Sequence, residues 1–521
     1  MKQRGAALAG CCALLTMMGA IGTLPGRSHS SAASVPKKAT TPASSTFLGP
    51  NGVEARWVIS ENAKRGTSSW KIHGAPARGI IEGFANTTYA QRGQVVKLYV
   101  SSSAPRFKVD AYRMGYYQGY GARLVWSSSE MNGVVQPPCP LSKPTNMVSC
   151  DNWKLSLSVT ISSSFVEGDY LFKLVGSGNE QSYVPLTVWN PASHATYFVK
   201  NDVFTWQAWN PYGGYDFYQG LGSCAPTYPV CNRARVVSYD RPYAYGEGAA
   251  DFLAEELPLI EFAERRDLDV AYGTDMTVEQ HPNILSNHKV LLSLGHDECW
   301  SLIEREAAQS AAGKGLNIVF LGASAILRHV RLQSSPLGVA DRELVDYRDS
   351  SEDPLNGKGN PLLVTGNTWS SPPANWSEVP FVGEAYAGYL EPNAPHAAFV
   401  VADASAWVFQ GTGLHDGSSL PGVLASDYDE FDPNLSHPNN VEILGHSPIP
   451  GTSSYSDMTY YTMPKGHAGI LDTGTNNWIP ALSACNRGKG CSSLEVDRIT
   501  RNILSVFGHG PAGIYEPSVG S

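Results

Sequence analysis

The sequence lacks any excess of basic residues. It has 38 Lys and Arg residues against 47 Asp and Glu residues, which gives a formal net charge of −9. Such a chain has no positive field for holding a phosphate backbone, so we expect no nucleic-acid partner. Beyond the N-terminal region it also lacks an apolar run long enough to cross a bilayer, so we expect no membrane span there.

Several common catalytic motifs are missing as well. The chain contains no G-x-S-x-G elbow, no H-E-x-x-H, no P-loop and no G-x-G-x-x-G that opens a helix. These absences weigh against the hydrolases of the nucleophile-elbow type, the zincins, and enzymes that bind nucleotides or dinucleotides.

The N-terminus has the composition of an export signal. Lys2 and Arg4 precede an apolar stretch over residues 6–24, and small residues follow it. This pattern predicts a signal peptide over residues 1–30 and a secreted protein, with lipidation at Cys11 as the weaker alternative. Residues 31–46 are rich in Ser, Thr and Pro, which predicts a flexible linker.

The cysteine spacing agrees with export. Beyond the signal, six cysteines fall into three close pairs, and neither a C-x-x-C motif nor a histidine at ligand spacing suggests a metal site. We therefore predict three local disulfides in an oxidising compartment and leave Cys299 as a free thiol. The predicted disulfides join Cys139 to Cys150, Cys224 to Cys231, and Cys485 to Cys491.

Two regions of ordered sequence follow the linker. Residues 47–190 contain short segments that alternate apolar and polar residues, which predicts an all-β sandwich domain. In residues 191–511 apolar strands alternate with helical patterns, which predicts an α/β domain with a mostly parallel sheet. Residues 512–521 are left as a C-terminal tail.

A cluster of titratable residues directly follows one predicted strand. The run LLSLGHDECW (residues 291–300) brings His296 and Glu298 to the carboxyl end of that strand, where α/β sheets place their ligands. In extended backbone these two side chains project to the same side, so we predict a site there, although Glu298 also suits a first helical turn. Asp297 is interpreted as the N-cap of a helix over residues 299–315, and Cys299 as a packing residue.

Aromatic residues are concentrated in two stretches after the first α/β strand. These stretches are TWQAWNPYGGYDFYQG (residues 205–220) and VVSYDRPY (residues 236–243). They either line a ligand cleft or cover a sheet edge. Phenol oxygens near a glutamate would also form a hard oxygen set of the kind that suits Fe(III).

The order of several blocks resembles a known family. YRMGYYQGYGARLV, QAWNPYGGYDFY, VSYDRPY, GHDECWSLIEREA, FLGASA and GILDTGTNNW occur in the order seen in the large subunit of N,N-dimethylformamidase and in proteins similar to its C-terminal domain. The likeness extends over about residues 80–507.

The resemblance implies an amidohydrolase that uses a mononuclear iron, Fe(III), held by two tyrosines and a glutamate with a histidine close by. Glu298 and His296 match the G-H-x-E turn of the family, as metal ligand and as proton-transfer residue. Tyr218 and Tyr243 end the two matching aromatic blocks and are the implied tyrosine ligands.

The chain also departs from the family pattern. Trp209 stands where the family often has the tyrosine of A-Y-N, and if a tyrosine ligand belongs at that position Trp209 cannot serve. Cys299 replaces the tyrosine of G-H-D-E-Y-W. Ser324 replaces an asparagine in the G-x-N-A turn, and Asp427 replaces a glutamate downstream. We keep Ser324 and Asp427 as candidate catalytic residues and expect Asp427 to orient His296.

Two functions are therefore open from the sequence. The first is a secreted amidohydrolase that splits the C–N bond of a small amide with iron as Lewis acid. The second is a metal-free secreted binding protein on the same scaffold, with an aromatic cleft that holds a cell-wall glycan or a small ligand. The substrate, a small partner subunit and the oligomeric state, a homo-oligomer included, stay open.

Overall fold

The computed structural model describes residues 46–73, 78–222, 232–391, 396–485 and 493–520. By its contacts Ser44–Ser521 forms one compact unit, so the division into domains near residue 190 stays a prediction. No helix within the described ranges is long and apolar enough to cross a membrane.

The first part of the chain is built almost entirely of strands. Within residues 46–73 and 78–190 it has one α-helix, α1, which spans Arg56–Asn62. The strands are β1 Thr46–Gly49, β2 Gly52–Ala55, β3 Ile81–Ala85, β4 Tyr89–Gln91, β5 Val95–Ser102, β6 Arg106–Met114, β7 Ala122–Ser127, β8 Met131–Asn132, β9 Leu141–Ser142, β10 Met147–Val148, β11 Leu157–Thr160, β12 Gly168–Gly176 and β13 Gln181–Trp189.

Two facing sheets give this part its core. One has the order β11-β5-β3 and the other the order β4-β13-β12-β6-β7, with β8 added to β6. Alternation along the strands divides the buried side chains: Phe172 and Val184 join the core between the two sheets, while their neighbours Leu171 and Tyr183 join the core of the following part. The larger sheet is therefore buried on both faces, which explains why the two parts form one unit.

Strands and helices alternate in the second part. The helices are α2 Val203–Ala208, α3 Leu257–Arg265, α4 Asp275–Gln280, α5 Leu302–Ala312, α6 Val379–Val382, α7 Trp478–Cys485 and α8 Ser493–His509. The strands are β14 Tyr197–Asn201, β15 Val236–Ser238, β16 Val270–Thr274, β17 Val290–Gly295, β18 Cys299–Ser301, β19 Asn317–Gly322, β20 Arg328–Gln333, β21 Glu343–Val345, β22 Ala385–Tyr389, β23 Ala397–Val400, β24 Ser419–Leu424, β25 Asp427–Glu430, β26 Glu442–Pro448, β27 Tyr455–Thr462 and β28 Gly469–Asp472.

The central sheet has the order β16-β14-β17-β19-β28-β27-β26. The first five of these strands run parallel, and β27 and β26 are antiparallel additions at one edge. Strands β17 and β19 are buried along their whole length, as the unbroken apolar runs of their sequences predict. The structure thus combines an α/β sheet with an all-β part.

Two local predictions were wrong. The helix after the G-H-D-E turn begins at Leu302 and not at residue 299, and its N-cap is Ser301, whose hydroxyl accepts from the Glu304 N–H. Residues 299–301 form β18 instead, because Thr205 Oγ1 accepts from the N–H groups of Glu298 (3.1 Å) and Cys299 (3.0 Å) and holds the backbone extended. The first strand of this part, β14, ends at Asn201, and the chain continues after Asp202 as α2.

Candidate functional site

The G-H-D-E turn lies at the carboxyl end of β17. Gly295 has φ +51°, and a Cβ at this position would lie 2.9 Å from Glu255 Cβ, so the turn requires glycine. The next three residues leave the sheet, and His296 and Glu298 face a cavity of about 1000 Å³. The position beyond a parallel strand is the one that the sequence predicted.

Aromatic and charged side chains line this cavity. The aromatic ones are Trp209, Tyr218, Tyr245, Tyr386 and Tyr389, and the charged ones are Asp251, His296, Glu298, Arg328, Arg348, Glu391, His396 and Asp427. The first aromatic stretch therefore contributes to a ligand cleft through Trp209 and Tyr218. A volume at the upper end of the range for drug-sized ligands is much larger than a dimethylamide requires.

Glu298 is hydrogen-bonded at both carboxylate oxygens. Its Oε2 accepts from the Trp209 indole N–H (2.9 Å) and from the Tyr218 hydroxyl, and its Oε1 accepts from Arg328 Nε (3.0 Å). The Arg328 guanidinium is fixed in turn by the backbone and side-chain oxygens of Asn367. Burial alone would raise the pKa of Glu298, but Arg328 and the other donors hold it below its usual value.

His296 and Asp427 form an ion pair at the cavity wall. His296 Nε2 lies 3.3 Å from Asp427 Oδ2 and 3.6 Å from Glu298 Oε2. Burial by itself would lower the pKa of His296, but the neighbouring carboxylates outweigh it and raise the pKa to about 10. Asp427 also accepts from the Ser324 hydroxyl at 3.1 Å. The structure thus brings His296, Glu298, Asp427 and Ser324 together.

The two predicted tyrosine ligands are separated. Tyr218 stacks on Trp209, with ring centroids 3.6 Å apart, and lies against Glu298. Tyr243 lines a second, smaller cavity and contacts the edges of Trp206 and Tyr245. The structure therefore does not bring Tyr243 to Glu298.

The reason lies in the backbone on either side of Tyr243. The side chain of Asn210 donates to the Pro242 carbonyl at 3.0 Å and accepts from the Ala244 N–H at 3.0 Å. These two bonds fix the chain on both sides of Tyr243. In consequence Tyr245, two residues further on, lines the large cavity.

Asp297 does not cap a helix. It faces away from the cavity, as alternation predicts, and pairs with the buried Lys200 at 2.8 Å. Asp202, Asp275 and Asp297 form a set of carboxylates that is close enough to share a cation, and Lys200 Nζ already forms salt bridges to all three. We therefore interpret this cluster as a structural salt-bridge network next to the G-H-D-E turn, in which the Lys200 ammonium group is the cation.

The cysteines bear out part of the prediction. Cys139 and Cys150 form a disulfide, as their spacing predicts. Cys299 is a free, buried thiol, and burial raises its pKa well above the usual value. It therefore packs and is no activated nucleophile.

The other two predicted disulfides lie outside the described residues. Neither Cys224 nor Cys231 belongs to the described part of the chain, and Cys491 does not belong to it either. Of Cys485 only the backbone is described, at the end of α7. The expected total of three disulfides is therefore not confirmed: the bond between Cys224 and Cys231 and the bond between Cys485 and Cys491 stay predictions.

Most residues of the cavity could not be identified from the sequence, and the most important of these are Arg328, Arg348 and Tyr386. Arg328, Arg348 and Tyr386 belong to no recognisable motif, and they reach the cavity only through the pairing of distant strands and loops. The pairing of strands explains the position of Arg328, because β20 runs parallel to β18 and residue 328 lies opposite residue 299, next to Glu298.

The donor set does not fit the iron site that the resemblance implies. Of the two implied tyrosine ligands, Tyr218 lies against Glu298 but Tyr243 lines another cavity, and Trp209 offers an N–H donor at the position where the family often has a tyrosine. The Arg328 guanidinium forms a salt bridge with the Glu298 carboxylate and so supplies the positive charge that a metal ion would otherwise supply. A cation at this carboxylate would have to displace a guanidinium and an indole N–H. We therefore route no chemistry through iron.

Comparisons with known proteins agree with the motif order. The family model described as N,N-dimethylformamidase beta subunit-like, C-terminal, matches residues 108–493, more than half of the chain. No curated protein matches the chain.

One solved structure shows a weak likeness. It is a cycloisomaltooligosaccharide glucanotransferase from Paenibacillus sp. complexed with cycloisomaltoheptaose, at 8% identity and a TM-score of 0.14. The match covers 52% of this chain and 34% of that chain. A TM-score this low supports no inference about fold or function.

Proposed function

Because the chain belongs to the N,N-dimethylformamidase beta subunit-like C-terminal family but carries residues that do not fit an iron, we propose that it is a metal-free, secreted ligand-binding protein on this scaffold. The observation that carries the proposal is the Glu298 carboxylate. Both of its oxygens accept hydrogen bonds from protein donors, and one of these donors is a guanidinium.

The cavity suits a ligand larger than a simple amide. Its volume of about 1000 Å³ accommodates a molecule of several rings or residues. The half-buried ring of Tyr386 and the exposed ring of Tyr389 offer flat apolar faces for sugar rings or other planar groups. Carboxylates and arginines between them supply hydrogen-bond partners, so a polar ligand such as a cell-wall glycan fragment fits this lining.

Two observations support the proposal that the protein is exported, namely its N-terminal sequence and one disulfide bond. The charged and apolar N-terminal residues have the order of a signal peptide. The disulfide between Cys139 and Cys150 supports the same compartment, since such bonds persist in oxidising surroundings.

Calorimetric titration of the mature protein tests the proposal. The probes are soluble muropeptides, chito-oligosaccharides and aromatic amides. We expect binding of at least one probe class and a loss of about three- to tenfold in affinity for Tyr386→Ala, because one stacking surface is removed. Tyr120→Ala is the matched control, since Tyr120 is exposed outside the cavity. The proposal fails if no probe binds or if both variants behave alike.

A second candidate is hydrolysis of an amide without a metal. The His296–Asp427 pair favours it, because a carboxylate-oriented imidazolium at a cavity wall can protonate a leaving amine. Water would add to the carbonyl carbon and lose one proton to the Asp427 carboxylate, the C–N bond would break, and the amine would leave with the proton from His296; Asp427 would then return its proton to His296. Amine release from a panel of small amides, lost in His296→Asn, would support this candidate. Absence of release with native-like folding would remove it.

A further inference from the structure

The charges of the cavity are not all paired. Arg328 pairs with Glu298, and His296 pairs with Asp427. Arg348 also lines the cavity, but it forms no salt bridge with any residue in the parts of the chain that the structure describes. The buried Asp346 carboxylate interacts electrostatically with Arg348 but forms no salt bridge with it, so the half-buried guanidinium keeps strong donors available in a partly desolvated site.

The Arg348 side chain is nevertheless held in position. Its guanidinium lies over the Tyr218 ring at 4.7 Å from the ring centroid. Among the described residues the guanidinium makes one hydrogen bond, to the Phe217 carbonyl, and this bond is long at 3.4 Å. Tyr218 is itself stacked on Trp209, so the guanidinium rests on a rigid aromatic pair. Its planar donors are therefore preorganised, and most of them are free to meet an acceptor.

The backbone at Arg348 is also fixed. Its φ of +53° is unusual for a residue with a side chain and costs free energy, so the surrounding contacts must maintain it. The buried Asp346 accepts from the Arg348 N–H at 2.8 Å, while the Asp346 N–H donates to the Arg235 carbonyl at 3.0 Å. Asp346 thus anchors the Arg348 backbone without forming a salt bridge to its guanidinium.

We propose that Arg348 is a carboxylate anchor and that the ligand carries a single carboxylate beside hydroxyl or amide groups, as a sugar acid or an N-acyl amino acid does. A planar guanidinium matches a carboxylate in a two-point contact. The carboxylates of Asp251, Glu391 and Asp427 in the same cavity disfavour a dianion such as a phosphate ester, but they accept from the N–H or O–H groups of a monoacid.

This inference rests on the proposed binding function and names its ligand class. Its test compares matched acid and neutral probes by calorimetry at low ionic strength. The pairs are glucuronate with glucuronamide, and N-acetylalanine with N-acetylalaninamide, so that a sugar acid and an acylated amino acid are distinguished. Within each pair the body of the probe is the same and only the anionic group changes.

We expect one acid to bind at least about tenfold more tightly than its amide, from the usual strength of charged hydrogen bonds. Arg348→Gln should remove this preference by lowering the affinity for the acid much more than the affinity for the amide, and Arg348→Lys should keep part of it. Arg106→Gln is the control, because Arg106 lies on the surface and pairs with Glu130. Thermal unfolding of each variant confirms that it folds.

The outcomes separate the two proposals. Equal binding of acid and amide, or an acid preference that survives in Arg348→Gln, overturns the role of Arg348 and leaves ligand binding standing. If the neutral probes bind and the acids do not, the proposed ligand class is wrong and the proposed binding function still stands. If neither these probes nor the glycan and amide probes bind, both proposals fail.

Discussion

The pair between Arg328 and Glu298 gives the sharpest prediction about this site. The two side chains are 12% and 4% exposed, and their nearest atoms are 3.0 Å apart. Removing one member of a buried pair typically costs about 3–5 kcal/mol, because the other charge loses its partner. In Arg328→Met the Glu298 carboxylate keeps the Trp209 and Tyr218 donors, so we expect a loss of about 2–3 kcal/mol of unfolding free energy.

A double-mutant cycle isolates the pair. Glu298→Gln keeps the shape of the side chain and removes its charge, so Arg328→Met combined with Glu298→Gln should be less destabilised than the sum of the single variants by about 2 kcal/mol. Urea unfolding, followed by tryptophan fluorescence, gives the free energies. Arg106→Met removes an exposed pair with Glu130 and should cost only about 0–1 kcal/mol.

The result that would refute this reasoning is additivity. If the double variant equals the sum of the single variants within about 0.5 kcal/mol, Arg328 and Glu298 are not coupled. The same holds if Arg328→Met is no more destabilising than Arg106→Met. Glu298 would then not be paired with the Arg328 guanidinium, and the main argument against a metal ion at this carboxylate would fail.

Further predictions concern pH and the thiols. Burial raises the pKa of Asp169 and of Asp429 to about 7, so folding takes up protons and stability should fall as pH rises from about 4 to about 7. Burial lowers the pKa of His288 to about 4, so stability should also fall as pH drops below about 6.5. Urea midpoints should therefore be higher at pH 5.5 than at pH 7.5, and the reverse order would contradict these pKa directions. Cys299 should react with iodoacetamide only in denaturant, and labelling of the native protein would contradict its burial.

Much of the framework is predictable from local sequence patterns. The apolar runs at residues 290–295 and 317–322 are strands buried on both faces, and the glycine that ends the first of them sets the turn that carries His296 and Glu298. The alternation of side chains in extended backbone correctly predicts that Asp297 faces away from the cavity that His296 and Glu298 face, because side-chain direction there alternates with position.

What the sequence could not supply are contacts between distant segments. Asp297 has the residue type and position of an N-cap, but the buried Lys200 from another strand takes its carboxylate. Cys299 lies in a helical pattern, yet Thr205 holds its N–H in extended backbone. Arg328 and Arg348 carry no motif, and their roles follow from strand pairing and from a stacked tyrosine. In each case a tertiary contact outweighs a local preference.

The family resemblance led to the right scaffold and to an unsuitable ligand set. It directed attention to His296, Glu298 and Asp427, and the structure places these three residues at one cavity. The substitution at Trp209 supports the proposal of a metal-free protein, since an indole N–H donates to Glu298 at a position where the family often has a tyrosine.

Metal analysis of the purified protein tests the central claim most directly. The mature protein is produced in iron-rich medium, incubated with Fe(II) in air, desalted, and measured for iron content and visible absorbance. The Arg328 guanidinium and the Trp209 indole N–H are both hydrogen-bonded to the Glu298 carboxylate. We therefore predict an iron content far below one atom per chain and no phenolate-to-iron absorption band. About one iron per chain, with a visible band that disappears in Glu298→Gln, would contradict the account.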